Sequence, residues 1–385
     1  VSEKFSASKV SPILGLPVDD EPMFFTEQSG EALEADGAVQ LSVIVPARNE
    51  ATRLPACLSS LLEQDDSLFP LGSDWELLLV DDASTDATWQ LMEEATRGRL
   101  GVRLLRAPVL DAQAFTGKSN ACWFAAGHAT GKWLVFTDAD TLHERMDLLH
   151  ALYEAKKYDV KLLSYSPRQI VTGLAQRTLM PLVFSELASV YKMSDVNDPE
   201  KRIAAANGQF LMVEREAYFA AGGHRAVGRS VLEDVDLARN IKRAATRNGG
   251  RGIRFRYAPD ALSTRMYEGF GDMVEGWTKN LALLFPHALQ LAAWRTLDAL
   301  LFLLPLTLWV FPYLVLWQKA AIVLVWVRTG IRFYRRVARS NFPLMDCAIS
   351  PLGLPLFIAL LLRSWMQHRM LHVVMWKGRE IRTGK

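Results

Sequence analysis

An α/β catalytic domain with a mostly parallel sheet, followed by C-terminal membrane helices, is the fold this sequence predicts, on three observations. Short β-branched or leucine-rich runs alternate with helical stretches of about ten residues, the pattern of strands joined by helical crossovers. Polar clusters at residues 46–50, 81–86 and 138–140 each follow one of those runs directly, which is where ligands gather in open α/β sheets. From residue 281 onward Leu, Phe, Trp and Val become dense.

The first strand is expected at 39–46 (VQLSVIVP), a β-branched run suited to a buried parallel strand. Apolar residues at helical spacing follow at 53–62, then a second strand at 75–80 (WELLLV) ending in Asp81 and Asp82. A helix at 88–95, a strand at 102–105, a helix at 118–127 and a strand at 132–136 complete the pattern. Residues 1–38 read as an acidic, irregular segment, 39–282 as the catalytic domain and 283–385 as a membrane-associated region. There, 299–317 is a nearly continuous apolar run of nineteen residues, close to the ~20 that span a bilayer. Residues 344–362 form a similar run interrupted by Asp346, Pro351, Gly353 and Pro355, as in a broken or re-entrant segment, and 320–327 is too short to span alone.

Arg328, Arg332, Arg335, Arg336 and Arg339 flank these runs, as do Arg363, Arg369, Lys377, Arg379, Arg382 and Lys385. Basic flanks usually face the cytoplasm. Two spans would place the five-arginine loop outside, and three would place the basic C-terminus there, so the charge rule leaves the topology open.

Forty-four basic residues against forty-two acidic ones give a net charge of +2, without the basic excess of a nucleic-acid binder. Cys57, Cys122 and Cys347 have no paired spacing, so neither a disulfide framework nor a zinc knuckle is expected and a reducing compartment fits. The first forty residues lack a charged start followed by an apolar core. No signal peptide is expected, and the catalytic domain should face the cytoplasm at the inner membrane.

The sharpest chemical signal is Asp138-Ala139-Asp140 at the end of the fourth strand. Two carboxylates one residue apart can hold a hard divalent cation, Mg²⁺ or Mn²⁺, that bridges diphosphate oxygens; an isolated D-x-D is otherwise a polar turn. A phosphatase-type D-x-D would place Thr two positions after the second Asp, where this chain has Leu142; its hydroxyl, Thr141, comes one position early. In Asp81-Asp82-Ala83-Ser84-Thr85-Asp86, the two leading carboxylates are the expected ligand contacts, able to accept from a uracil N–H, while Ser84 or Asp86 caps the next helix. Glu233-Asp234 opens a helical stretch. An inverting transfer needs one carboxylate to take the acceptor proton, and Asp234 is the choice over Glu233 and Asp236; acidic residues also favour a helix start for its dipole alone.

VIVPARNE, VDDASTD, GKSNA, FTDADT, GQF and EDVDLA occur in that order across 41–281, and with them the chain resembles the family 2 glycosyltransferases, whose catalytic domain has the Rossmann-like GT-A fold. The resemblance implies that Pro46, Ala47 and Glu50 line the nucleoside, that Asp81, with Asp82, holds the uracil of a UDP-sugar, and that Lys118 approaches the nucleotide. It implies metal and diphosphate at Asp138 and Asp140, the base at Asp234, and Gly208, Gln209 and Glu233 beside the acceptor or sugar. RMYEGFGDMVEGWTKN and VVMWKGREI look like the hopanoid-associated and carotenoid glycosyltransferases of bacteria, so the implied acceptor is a lipid or isoprenoid at the membrane. The family's polysaccharide synthases carry Gln-x-x-Arg-Trp; here Glu275-Gly276-Trp277-Thr278-Lys279-Asn280 departs from it, favouring a single transfer. Trp277 is expected to stack on acceptor or sugar, or else to be plain packing, and Lys279 to offset diphosphate charge. Polyprenyl phosphate or polysaccharide as acceptor, and a membrane-bound sugar-nucleotide sensor without turnover, are the alternatives.

Overall fold

The computed structural model describes residues 38–65, 67–247, 250–376 and 379–382. Apart from Ala38, the irregular segment expected at 1–38 lies outside the described residues, and so do Lys377 and Lys385.

The chain enters the sheet at Leu41–Ala47 (β1), passes through Leu54–Leu62 (α1) to Trp75–Asp81 (β2), then through Thr88–Thr96 (α2) to Val102–Arg106 (β3). Gly117–His128 (α3) brings it back to Trp133–Phe136 (β4) on the other side of β1. Val43 faces Leu77 of β2 and Val135 of β4, all in parallel register. β2 is buried along its whole length, which explains why a leucine run reads as a strand here: a strand covered on both faces needs continuous apolar sequence. These seven elements lie within two residues of their expected bounds.

The later strands are Thr141–His143 (β5), Val160–Ser166 (β6), Arg168–Gln169 (β7), Leu211–Glu214 (β8), Arg251–Tyr257 (β9) and Leu262–Thr264 (β10). The main sheet has the order β3-β2-β1-β4-β8-β6-β9, and β5-β10-β7 form a small second sheet. Only β8 runs against its neighbours, β4 and β6, so the sheet is mostly parallel, as expected. The order reverses between β1 and β4, and a crevice opens at the carboxyl ends of strands at such a switch point. β1 and β4 come together tightly at their other ends. A Cβ on Gly131 would stand 2.6 Å from the Ser42 backbone nitrogen, and the Ser42 hydroxyl there donates to Glu76 at 2.7 Å.

Asp147–Lys157 (α4), Gly173–Val190 (α5), Glu233–Arg247 (α6) and Phe270–Leu284 (α7) precede the apolar C-terminal helices: Ala288–Phe302 (α8), Pro305–Val310 (α9), Leu316–Val337 (α10), Leu344–Ile349 (α11) and Leu354–Met366 (α12). A boundary at 282–283 does not separate two packed bodies. Leu179 and Val183 of α5 and Trp277 of α7 share one core with Phe333 of α10 and Phe357 of α12. Among the described residues two stretches, Ala288–Val310 and Leu344–Leu371, are long and apolar enough to cross a membrane. The run 299–317 is not one helix, in contrast to expectation: it breaks before Pro305, whose ring cannot extend the preceding helix, and turns again at 311–315 before α10 begins. Residues 320–327 lie inside α10.

Where α8 meets α5 and α10, Asp298 is buried among three arginines. It pairs with Arg332 at 2.6 Å, Arg336 at 2.9 Å and Arg295 at 3.0 Å, while Glu186 of α5 pairs with Arg295 at 3.1 Å. Charges out of water persist only when so paired, and removing one partner leaves the others stranded. Phe302 stacks edge-on against Phe333 beside this network, with 5.0 Å between ring centroids.

Candidate active site

A cleft of about 990 Å³ opens at the switch point. One wall comes from the ends of β1 and β2. Pro46, Ala47, Glu50 and Asp82 line it, and two residues in the left-handed region, Asn49 (φ 52°) and Ala83 (φ 53°), shape the turns. Asn tolerates that conformation; Ala pays about 1–2 kcal/mol for it, offset here by cross-strand bonds. Asn49 Oδ1 accepts from the Thr85 N–H at 2.8 Å, the Asn49 N–H donates to the Ser84 hydroxyl, and Arg48 donates to the Asp82 and Ala83 carbonyls at 2.8 and 2.9 Å. Asp81 and Asp82 are both buried but placed differently: Asp81 accepts from the Ser84 N–H at 3.2 Å and is absent from the cleft wall. Asp86 takes the capping role, accepting from both the backbone N–H and the hydroxyl of Thr88.

The floor is built at the end of β4. Asp138 and Asp140 both line the cleft, and the turn between them and β5 is pinned from beneath. The Thr264 hydroxyl donates to the Asp140 carbonyl at 3.1 Å and accepts from Gln209 Nε2 at 3.1 Å. Thr137 donates to the Gln209 carbonyl at 2.8 Å. Its proton being used there, His143 Nε2 must donate to Thr137 across their 3.1 Å contact, while His143 Nδ1 meets Asp147 at 2.8 Å. Both members of the His143–Asp147 pair are buried. Replacing His143 by Ala would strand Thr137 and Asp147 in the interior. His143→Ala is expected to destabilise the fold by about 2–4 kcal/mol, read as a thermal midpoint lower by about 2–5 °C.

Lys118, in the first turn of α3, reaches across this floor. Its ammonium lies 2.7 Å from Asp138 and 3.2 Å from Glu233. Burial alone would lower its pKa, but Asp138 and Glu233 outweigh that and hold it well above the usual amine range. Gly208 leaves room for this ammonium: a Cβ there would stand 2.7 Å from it, so the lysine would have to shift, and 3.4 Å from Asp234 Oδ2. Its N–H donates to Asp234 Oδ2 at 2.8 Å, and the Val235 N–H donates to Oδ1 at 2.8 Å. Burial, reinforced by the adjacent Glu233 carboxylate, pushes Asp234 up to about 7. Asp236 faces away, held by Ser230 and Arg239.

Lys279 on α7 lines the cleft, and burial with the neighbouring Lys118 charge outweighs Glu233 to hold its pKa below the usual amine range. Trp277 does not line it. Its indole is 3% exposed, donates to the Met180 sulfur at 3.4 Å and packs against Tyr267 and Phe184; two helix positions away from Lys279, it faces the opposite side of α7. The cleft also takes in residues the sequence did not single out, among them Arg53, Phe115, Arg229, Met266, Tyr267 and Asn280.

Among the described residues no group of three or more His, Cys, Asp or Glu side chains could enclose a metal ion. Asp138 and Asp140 nevertheless suit Mg²⁺ or Mn²⁺, which take one or two carboxylates and complete their shell with water and substrate phosphate oxygens.

The family model described as "Glycosyl transferase family 2" matches residues 42–235. The chain is 28% identical over 364 residues to 4,4'-diaponeurosporenoate glycosyltransferase of Staphylococcus haemolyticus (strain JCSC1435), covering 90% of each protein. It is 26% identical over 363 residues to the protein of that name from Staphylococcus aureus (strain USA300), covering 90% of this chain and 89% of that one. Among solved structures, it resembles the mannosyltransferase PcManGT from Pyrobaculum calidifontis, in complex with GDP-Man and Mn²⁺, at 20% identity and a TM-score of 0.50 over 86% of this chain and 87% of that one. This last likeness is one of fold.

Proposed function

This chain belongs to glycosyl transferase family 2, and we propose that it moves a sugar from a nucleotide-diphosphate donor, a UDP-sugar, with inversion, onto a hydroxyl of a carotenoid-like or other isoprenoid lipid. That it is a glycosyltransferase follows from the family and from curated relatives that carry that name. The observation that carries the finer reading is the meeting of Asp82, Asp138, Asp140, Lys118 and Asp234 in one cleft, although they come from four separate segments of the chain. The acceptor is suggested by the relatives named for 4,4'-diaponeurosporenoate and by the apolar helices that begin directly after α7. Those helices support a place at the membrane; the cytoplasmic side for the cleft is part of the proposal and rests on the lone, unpaired cysteines.

Asp82 and the turn after β1 receive the nucleoside, with Asp81 bracing the turn after β2 through the Ser84 N–H. Lys118 sets positive charge beside the diphosphate, where charge develops as the nucleotide departs. Asp138 and Asp140 would hold the divalent ion, which when bound supplies Lewis-acid stabilisation of the leaving diphosphate. Asp234 takes the proton of the acceptor hydroxyl; the Gly208 and Val235 N–H groups fix its carboxylate in place. A raised pKa makes it a stronger base than an ordinary aspartate, at the expense of being protonated in acid.

The direct test is donor hydrolysis and transfer by purified, detergent-solubilised protein with a panel of UDP- and GDP-sugars, with Mn²⁺ and then with chelator. Chelator-sensitive release of UDP from one donor is expected; release that survives chelation would remove the metal from the reading. With saturating metal, kcat/KM for transfer should fall about tenfold for each pH unit below about 7, as Asp234 takes up its proton. A profile flat down to pH 5 would move the base elsewhere.

A further inference from the structure

We infer that α8, α9 and α10 form a helical hairpin that enters one leaflet of a lipid bilayer and returns, keeping both of its ends on the side of the catalytic cleft. Residues 299–327 contain a single charged side chain, Lys319, and between Ala299 and Arg328 no residue is buried by the rest of the protein. At the turn this exposure is extreme: Trp309 is 86% exposed, Tyr313 77%, Leu316 84% and Trp317 70%. An apolar surface this continuous needs a cover.

Three features identify the cover as lipid. The tip carries large apolar and aromatic side chains, Trp309, Phe311, Leu316 and Trp317, and no carboxylate, so hydrocarbon covers these side chains at no charge-burial cost. Its base carries Arg328, Arg335 and Arg339, all exposed, the complement of anionic headgroups. The third feature is length. From Leu316 to Arg328 the helix rises about 18 Å, short of the ~30 Å hydrocarbon core but enough for one leaflet. The other leg is shorter still, because α8 is committed to the protein at Arg295 and Asp298 and is broken before Pro305. Lys319 is a single charge close to the tip; placing it at depth costs about 2.5–3.5 kcal/mol, which burial of the many apolar side chains of the hairpin outweighs.

A hairpin that returns also resolves the charge problem posed by the sequence. The five arginines of 328–339 then stay on the side of the catalytic domain without an extra crossing. The buried Asp298 network and the Phe302–Phe333 contact fix the base of the hairpin to α5, so the depth of insertion sets the height of the domain above the membrane.

The inference stands apart from the donor and acceptor reading, because its test needs no turnover. Full-length Tyr313→Cys protein, labelled at 313 with an environment-sensitive fluorophore, is added to preformed phosphatidylcholine vesicles containing phosphatidylglycerol. Quenching by lipids spin-labelled partway along the acyl chain is expected; quenching by water-soluble agents instead would overturn the insertion. The unlabelled variant should resist an impermeant maleimide supplied outside or trapped inside the vesicles. Reaction with the trapped reagent would mean that the hairpin crosses, and reaction with the external one that it stays out. A doubled protein mass in detergent that reverts to monomer in Trp309→Glu/Trp317→Glu would assign the surface to a second copy of this chain and overturn the proposal. Arg328→Gln/Arg335→Gln/Arg339→Gln, with an unchanged thermal midpoint, should bind anionic vesicles about fivefold more weakly per arginine and neutral vesicles as before; equal binding to both would overturn the headgroup contact.

Discussion

Asp234→Asn is expected to leave nucleotide-sugar affinity within a few-fold of wild type and to lower transfer about 10²–10⁴-fold, the usual contribution of a positioned general base. The substitution keeps the shape of the side chain but has one oxygen to offer two backbone donors, the N–H groups of Gly208 and Val235. Losing one such bond to a carboxylate costs about 1.5–3 kcal/mol of stability, while a 10²–10⁴-fold rate loss corresponds to about 3–5 kcal/mol of activation free energy, so a thermal midpoint measured beside the rate separates the two. Paired measurements of donor affinity and single-turnover transfer make the distinction. Transfer retained in Asp234→Asn but lost in Glu233→Gln would reassign the base to Glu233, whose carboxylate also lines the cleft. Asp236 is a poor substitute because Ser230 and Arg239 already occupy it.

Asp140→Ala should abolish the part of UDP affinity that depends on Mn²⁺. Calorimetry with and without chelator should show a wild-type difference of about tenfold or more and a variant that binds equally in both, since each charge-assisted metal contact is worth at least about 1.4 kcal/mol. Asp140 is the cleaner position to alter. Asp138 also pairs with Lys118 at 2.7 Å, so its removal would free a lysine to approach the diphosphate and confuse the reading. Unchanged metal dependence in Asp140→Ala would count against the two-carboxylate site.

Much of this was legible in the sequence because the signals were local. A continuous apolar run followed at once by carboxylates marks a strand and its ligand-bearing end, and β1, β2 and β4 appear within two residues of where those runs predict them. For Trp277 the sequence offers both stacking on a ligand and plain packing, and helical spacing favours the second. Met273, Trp277 and Leu281 recur every fourth residue and form the buried stripe of α7, which leaves Gly276, Lys279 and Asn280 to the cleft. The 299–317 run misled for a different reason: mean hydropathy is blind both to Pro305 and to the burial of the preceding turns of α8. Nothing local announced His143. Its hydrogen bond to Thr137 depends on β5 folding back beneath the turn, and its role shows only when β10 is in place to pair with β5.

The three thiols of this chain are distributed as if to report on separate layers. Cys57 lies on α1 beside the Asp138 carbonyl, Cys122 in the core between α3 and the sheet, and Cys347 in the core shared by the C-terminal helices. All are unpaired and buried, and burial pushes Cys57 and Cys122 far toward the unreactive protonated form. Buried thiols react only when their surroundings open. Their order of alkylation under rising denaturant, followed peptide by peptide, therefore serves as a built-in clock of unfolding: simultaneous loss of protection would make sheet and helical bundle one cooperative unit, and early reaction at Cys347 would show the bundle loosening first.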